Sequence, residues 1–339
     1  MKRFYIFCFI LLLTACGGGS SAPVSEPVVS KIRPFYNEFQ RTDGLDIVAI
    51  YGQSNAVGVG FTESLISNES NTGNMMSQKC VIDGVLKINE DCFVTNSISD
   101  PSDLYRKGLF SSWIDFDRSL YAKVSRKIHL VNAAVGATEI SQLLKGAEEG
   151  LSSPNGIDEY TNLINGIKHS LEIYGVDNIN TVSVIWLQGE SDAIRIVDDS
   201  LDYDAAASFY FESLGELRLS MLSDLNIPKL EIFVVRLGDV AGPFLKYSTI
   251  QNDLGFWQIR YSEEHEGFTA ISLLPRTYNQ TNLLLSSDGI HYSKLGYELL
   301  GVELADNFLK YLDKDDSFKE ELSELNQKYP PNIIKEKPF

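Results

Sequence analysis

The stretch DIVAIYGQSNAVGVG, Asp46 to Gly60, decides how this chain is read. Ile47 to Tyr51 is an unbroken apolar run of the kind a strand covered on both faces needs. The run stops at Gly52-Gln53-Ser54-Asn55 and continues in small residues. A buried strand ending on a serine, held between a glycine and amides, is either a tight turn or the seat of a nucleophile. The rest of the sequence has to choose between them.

Working outward, strand-like and helical stretches alternate. After LDIVAIY (Leu45–Tyr51) come IHLVNAAVG (Ile128–Gly136), TVSVIWLQGESD (Thr181–Asp192), LEIFVVRLG (Leu230–Gly238) and FTAISLL. Between them, Ser112–Lys127 places Trp113, Phe116, Leu120 and Val124 on one helical face. Tyr160–Gly175 does the same with Leu163, Ile164, Ile167 and Leu171, and Gly175 stops it. YDAAASFYFESLGELRLSMLSD and the segment after SSDGIHYSKLGYELLG read as two further helices. Strands in alternation with helices predict an α/β fold with a parallel sheet covered on both faces. Two regions break the rhythm. The 61–110 segment is polar and reads as a long insertion loop. The 313–339 tail is charged, with Phe318, Leu322 and Leu325 forming one docked turn and the final YPPNIIKEKPF expected to be loose.

With 339 residues, 44% of them hydrophobic, the chain can bury a full core. Its formal net charge is -17, and no run of Lys or Arg supplies the basic stripe that a nucleic-acid partner requires. Anionic membrane surfaces are disfavoured on the same ground. Lys2 and Arg3 followed by the apolar run Phe4–Leu13 have the layout of a secretory signal and are too short for a mature membrane span. Leu13-Thr14-Ala15-Cys16 resembles the lipobox of bacterial lipoproteins, which implies cleavage after residue 15, lipidation of Cys16 and attachment to a membrane through that anchor alone. Gly17 is similar to the sorting position of outer-membrane lipoproteins. The alternative is an ordinary signal peptide in which Cys16 is incidental. Residues 16–44 then form a Gly/Ser/Pro tether. Losing residues 1–15 removes two cations and no acid, leaving a charge of -19. The two remaining cysteines, Cys80 and Cys92, are expected to form a disulfide in an exported protein, worth roughly 2–4 kcal/mol. A zinc pair is the weaker alternative, since no neighbouring Cys or His completes four ligands.

In a doubly wound sheet ligands bind at the carboxyl ends of the strands, so the chemistry is sought there. Four turns qualify: Gly52–Asn55, Gly136–Thr138, Gln188–Asp192 and Asp288–His291. A serine hydroxyl needs a base, and the base needs an acid to fix its tautomer. Of the four histidines, His129 lies in a strand, His169 in an amphipathic helix, and His265 in a solvated SEEHEGF segment. Only His291 occupies a turn after a strand with an acid, Asp288, three residues before it. Glu190 and Asp192 sit two apart on one turn, a poor geometry for the two carboxylates that flank a bond in a glycosidase, so a structural or substrate-hydroxyl role is favoured. No H-E-x-x-H or paired-histidine spacing suggests a metal, and no cofactor is implied. Trp113, Trp186 and Trp257 are read as core.

These blocks, GQSN (Gly52–Asn55), GAT (Gly136–Thr138), WLQGESD (Trp186–Asp192) and DGIHYSKLGYELLG (Asp288–Gly301), resemble in order those of the SGNH-hydrolase superfamily, in its branch of sialate O-acetylesterases and acetylxylan esterases. The resemblance covers most of residues 45–312 and implies a flavodoxin-like three-layer α/β/α domain that removes acetyl groups from carbohydrates. It implies Ser54 as nucleophile, His291 as base and Asp288 as its orienting acid. The oxyanion hole would comprise the backbone N–H groups of Ser54 and Gly136 with the Gln188 amide as third donor. Gln53, Asn55, Glu190 and Arg236 are expected in the vicinity of the substrate, and Asn55 is also expected to anchor its turn by hydrogen bonds. Ala137 stands where the family usually has a second glycine, which predicts a tighter pocket, and Arg236 stands where relatives often have a neutral polar residue. Two rivals remain open: a carbohydrate-binding lipoprotein that retains the fold without catalysis, and a lipid or thioester hydrolase.

Overall fold

The computed structural model describes residues 45–58, 74–77, 79–82, 85–88, 93–94, 111–124, 127–147, 158–276 and 284–339. Cys16 and Cys92 lie outside the described residues, as do the signal and tether, and with them the expected lipidation and disulfide.

The strands are β1 (Leu45–Gly52), β2 (Asn74–Ser77), β3 (Lys79–Ile82), β4 (Val85–Ile88), β5 (Phe93–Val94), β6 (Lys127–Asn132), β7 (Ile179–Leu187), β8 (Glu231–Val235) and β9 (Phe268–Ser272). Five of them, in the order β6-β1-β7-β8-β9, form an all-parallel sheet. Counted along the chain this is order 2-1-3-4-5, the flavodoxin-like winding. β2 adds a parallel strand beside β6, and β5 closes that edge antiparallel. β3 and β4 pair separately. The 61–110 segment is therefore not a plain loop: four short strands lie within it. The sequence does carry a hairpin signal there, Val81-Ile82 and Val85-Leu86 on either side of Asp83-Gly84, which the Asn- and Ser-rich composition of the segment as a whole obscured.

The apolar run of β1 explains the layers. Ile47, Ala49 and Tyr51 join one buried cluster, and Val48 and Ile50 join the other. Successive side chains point to opposite faces, so a continuous apolar run fits a strand with helices on both sides. Each buried aliphatic of this size contributes about 1.5–3 kcal/mol. Helices α2 (Ser111–Val124) and α7 (Lys294–Leu312) pack on the Val48 face, through Trp113, Phe116, Tyr297, Leu304 and Phe308. Helices α3 (Glu159–Tyr174) and α5 (Tyr203–Leu225) cover the other through Leu163, Ile167, Phe211 and Leu214. Three further helices are α4 (Glu190–Asp198), α6 (Ser248–Glu264) and α8 (Ser317–Asn326). α6 went unread in the sequence because it buries Gln251, Asn252, Asp253 and Gln258 alongside Leu254 and Trp257, which erases the apolar stripe.

The final segment is docked, contrary to the expectation of a loose end. The Asp253 carboxylate accepts the backbone N–H groups of Asn332, Ile333 and Ile334 at 2.7, 2.7 and 2.9 Å. Trp257 Nε1 donates to the Ile334 carbonyl at 2.7 Å, and the Phe339 ring packs among Phe211, Trp257, Tyr261 and His265. His265 is accordingly not a solvated residue; it stacks on Tyr261 with ring centroids 3.9 Å apart.

Candidate active site

β1 lies at the topological switch point, with β6 on one side and β7 on the other, and the chain leaves its carboxyl end into Ser54. Gly52 makes that exit possible: its φ is 145°, and a Cβ there would collide with the Leu187 carbonyl at the end of β7. Ser54 then opens a single helical turn, α1 (Ser54–Val57), and is partly exposed. Its hydroxyl makes no hydrogen bond among the described residues.

The Asp288–His291 turn is locked internally. Asp288 Oδ1 accepts from Ser286 Oγ at 2.6 Å and from the backbone N–H groups of Ile290 and His291 at 3.0 Å each. Its Oδ2 lies 2.6 Å from His291 Nδ1. Burial alone would raise the Asp288 carboxyl, but these hydrogen bonds outweigh it and hold it well below the usual carboxylate range. A carboxylate only accepts, so it fixes the proton on Nδ1 and leaves Nε2 of the neutral ring as the basic nitrogen.

Asn55 ties the serine turn to the histidine turn. Its Nδ2 donates to the Ile290 carbonyl at 3.2 Å, and its Oδ1 accepts the Tyr292 N–H at 3.3 Å. Ile290 and Tyr292 flank His291, so the residue after Ser54 grips both neighbours of the histidine. Asn55 Nδ2 also donates to Glu190 Oε1 at 2.7 Å, and Tyr297 Oη donates to Asn55 Oδ1 at 3.1 Å. Trp113 Nε1 holds the same turn from the other side through the Ala56 carbonyl at 2.8 Å.

On the third side is Gly136. A Cβ built on it would lie 3.8 Å from the Ser54 Cβ, so this backbone borders the serine. The N–H groups of Ser54 and Gly136 have no acceptor among the described residues. Ala137, next in line, has φ of 61°, a left-handed conformation that costs an L-residue about 1–2 kcal/mol. Ala137 is exposed, one residue past the backbone that borders Ser54. Ala137→Gly is expected to be neutral to stabilising by up to about 1 kcal/mol, part of the relief being offset by the greater freedom of glycine in the unfolded chain. A thermal melt checks it; a marked loss of stability would show that the methyl supports the loop.

The remaining residues assigned to the site lie behind it. Gln188 is fully buried, and its amide hydrogens go to the Thr138 carbonyl at 3.1 Å and to Asp192 Oδ2. It is therefore not placed as an oxyanion donor, because both of its N–H groups are committed within the protein. Gln53, Asn55, Glu190 and Arg236 are buried as well, so none faces a substrate. Gln53 Oε1 accepts the Ser191 N–H at 3.0 Å and pins the β7–α4 turn to the serine turn. Glu190 bonds Asn55 beneath the site, and burial raises its carboxyl above the usual range, while Asn55 and, less strongly, the nearby His291 pull it down. Asp192 is raised to about 7 by burial, against hydrogen bonds from Gln188 and the Ile140 backbone. Arg236 donates to Asn326 Oδ1 at 2.9 Å and to Asn252 Oδ1 at 3.1 Å, under the C-terminal segment. Composition and spacing could not separate a residue that touches substrate from one that supports it, because both are polar and both cluster at strand ends.

A partly exposed serine at the switch point of an α/β sandwich, on a turn that Asn55 ties to one carrying a carboxylate-oriented histidine, has the parts of a hydrolase-type site. A family model described as "Carbohydrate esterase, sialic acid-specific acetylesterase" matches residues 44–310, and the chain belongs to that family. It is a carboxylic ester hydrolase acting on carbohydrate esters. Among solved structures it is similar to an Arabidopsis thaliana protein, at 20% identity and TM-score 0.53, covering 79% of this chain and 99% of that one. It is also similar to a carbohydrate acetylesterase from Xanthomonas citri, at 15% identity and TM-score 0.51, covering 79% of this chain and 56% of that one. At these identities the likeness speaks for the fold. A search among curated proteins finds no match.

Proposed function

We propose that Ser54, His291 and Asp288 remove O-acetyl groups from carbohydrate through an acyl-serine intermediate. His291 Nε2 takes the Ser54 hydroxyl proton as Oγ adds to the acetyl carbonyl, and gives it to the sugar oxygen as the bond between that oxygen and the acetyl carbon breaks, so that the sugar leaves as its free hydroxyl. A water then repeats the sequence, its proton going to Nε2 and its oxygen to the acyl carbon, which releases acetate and restores Ser54. Asp288 keeps the ring in the productive tautomer and stabilises the imidazolium. The negative charge that builds on the carbonyl oxygen is met by the N–H groups of Ser54 and Gly136; one such donor is typically worth about 3–4 kcal/mol.

The observation that carries this reading is the Asn55 side chain bonded to both peptide groups beside His291. Two segments more than two hundred residues apart in sequence are thereby held against each other at the carboxyl edge. The test is titration with a serine-reactive aryl phosphonate, read by mass spectrometry, alongside acetate release from a panel of acetylated glycans. One phosphonyl group on Ser54, with hydrolysis lost in proportion, is expected. Acetate release that persists in fully labelled protein, or labelling at another serine, would sink the assignment.

A further inference from the structure

A polar cavity opens at the carboxyl edge beyond β8, the second strand along from β1 in the sheet. It holds about 430 Å³ and lies among the loops that follow β8 and β9, the start of α6 and the C-terminal segment. Its lining includes Asp239, Ser248, Asn252, Arg276, Lys328 and Tyr329. The backbone couples it to the histidine turn: the Ala241 N–H, two residues past Asp239, donates to the Gly289 carbonyl at 2.7 Å.

Positive charge collects there in a chain whose formal net charge is -17. Arg276 is mostly buried, pairs with Asp239 and stacks over the Tyr329 ring at 4.3 Å. Its Nε shares the Asn252 side-chain oxygen, at 3.2 Å, with Nη2 of Arg236, at 3.1 Å. Arg236 lies fully buried behind the lining, and its Nη1 has no acceptor among the described residues. Lys328 makes no ion pair among the described residues. Asp253, the other acid at hand, spends its oxygens on the backbone of residues 332–334. Three cations thus have two acids at hand, and among the described residues only Asp239 is ion-paired with one of them, Arg276. Like charges held close in a poorly solvated place repel, and burial together with the Arg276 charge works against the Arg236 cation. Such a cluster gains from an incoming anion. The hydroxyl and amide groups around it suit a ligand rich in hydroxyls, and the Tyr329 and Leu245 side chains add apolar surface.

We infer that this cavity is a subsite for the carboxylate of an acidic sugar residue, held next to the acetylated residue of the same glycan. The inference rests on the proposed carbohydrate esterase reading for its second half only. Calorimetric titration of the Ser54→Ala protein with glucuronate and with glucose tests the cavity itself. Saturable binding of glucuronate, at least tenfold weaker in Lys328→Gln, with no measurable binding of glucose, is expected. Equal binding of the two sugars, or a glucuronate affinity unmoved by Lys328→Gln, overturns it. Arg276→Gln should lose the binding, but the exposed Lys328 keeps the test decisive if that variant folds poorly. On the active enzyme, acetylated oligosaccharides bearing a uronate residue should show a KM about tenfold lower than neutral ones, and Lys328→Gln should remove that advantage at unchanged kcat. If free glucuronate binds and the uronate-bearing oligosaccharide has no advantage, the subsite assignment is overturned in favour of a free-acid site. Absence of turnover on every ester, with glucuronate binding intact, would count against the esterase reading and leave the anion site standing.

Discussion

Ser54→Ala is expected to lower kcat for an aryl acetate by about 10⁴- to 10⁶-fold, the range seen when one member of a nucleophile–base unit is removed. His291→Ala should fall in the same range, and the double variant should be little worse than either, because the two residues act as one unit. The fold should be untouched. Ser54 Oγ makes no hydrogen bond among the described residues, so its loss strands no buried partner. The turn is held by Asn55, Trp113 and the backbone, none of which changes. What remains in the Ser54→Ala protein is a pair of backbone N–H groups and the bound ester, which accounts for a small residual rate over water. Steady-state kinetics with a thermal melt on the same sample gives the answer. Substantial activity in a folded Ser54→Ala variant would mean that the ester is cleaved by another group.

Removing residues 331–339 is expected to cost about 5 kcal/mol or more, which takes a domain of typical stability close to unfolding. Ile334 is fully buried, and its loss with that of Phe339 forfeits about 1.5–3 kcal/mol of burial for each fully covered side chain. Asp253 suffers more. It is fully buried, and truncation strips its carboxylate of all three backbone donors, leaving a 3.4 Å contact from Asn252 Nδ2 and the nearby Arg236 charge; breaking up such a buried charge costs up to about 3–5 kcal/mol. Trp257 Nε1 is stranded with it. Chemical denaturation of the truncated chain should show a much lower midpoint. Adding Asp253→Asn should recover part of the loss, because a neutral amide is cheaper to leave unpaired. A truncated protein as stable as the full chain would show that the segment only rests on the surface.

The legible part of this molecule was written in local pattern. Ile47–Tyr51 specified a strand buried on both faces, and β1 divides its side chains between two clusters. The helix faces with Trp113, Phe116 and Leu120, or with Leu163 and Ile167, showed their spacing and are buried. The Asp288-x-x-His291 spacing could be read as a contact because both residues lie on one turn, and their side chains meet at 2.6 Å.

What failed depended on other parts of the chain. α6 has its polar residues inside, and their partners come from the C-terminal segment and from the chain just after β8, so no single stretch revealed the helix. Gln188 and Glu190 carry the right chemistry for a site, yet they face inward because Asp192, Thr138 and Asn55 receive or supply their hydrogen bonds.

The sequence by itself determined the layer order of the sandwich, the serine at the end of its first strand and the local pairing of Asp288 with His291, because periodicity and short-range spacing act within one element. Tertiary structure decided which polar residues look outward, how the last residues brace α6, and that Asn55 binds the serine turn to the histidine turn. Those outcomes depend on hydrogen-bond partners between about fifty and more than two hundred residues away, and a buried polar group takes the role its partner assigns it.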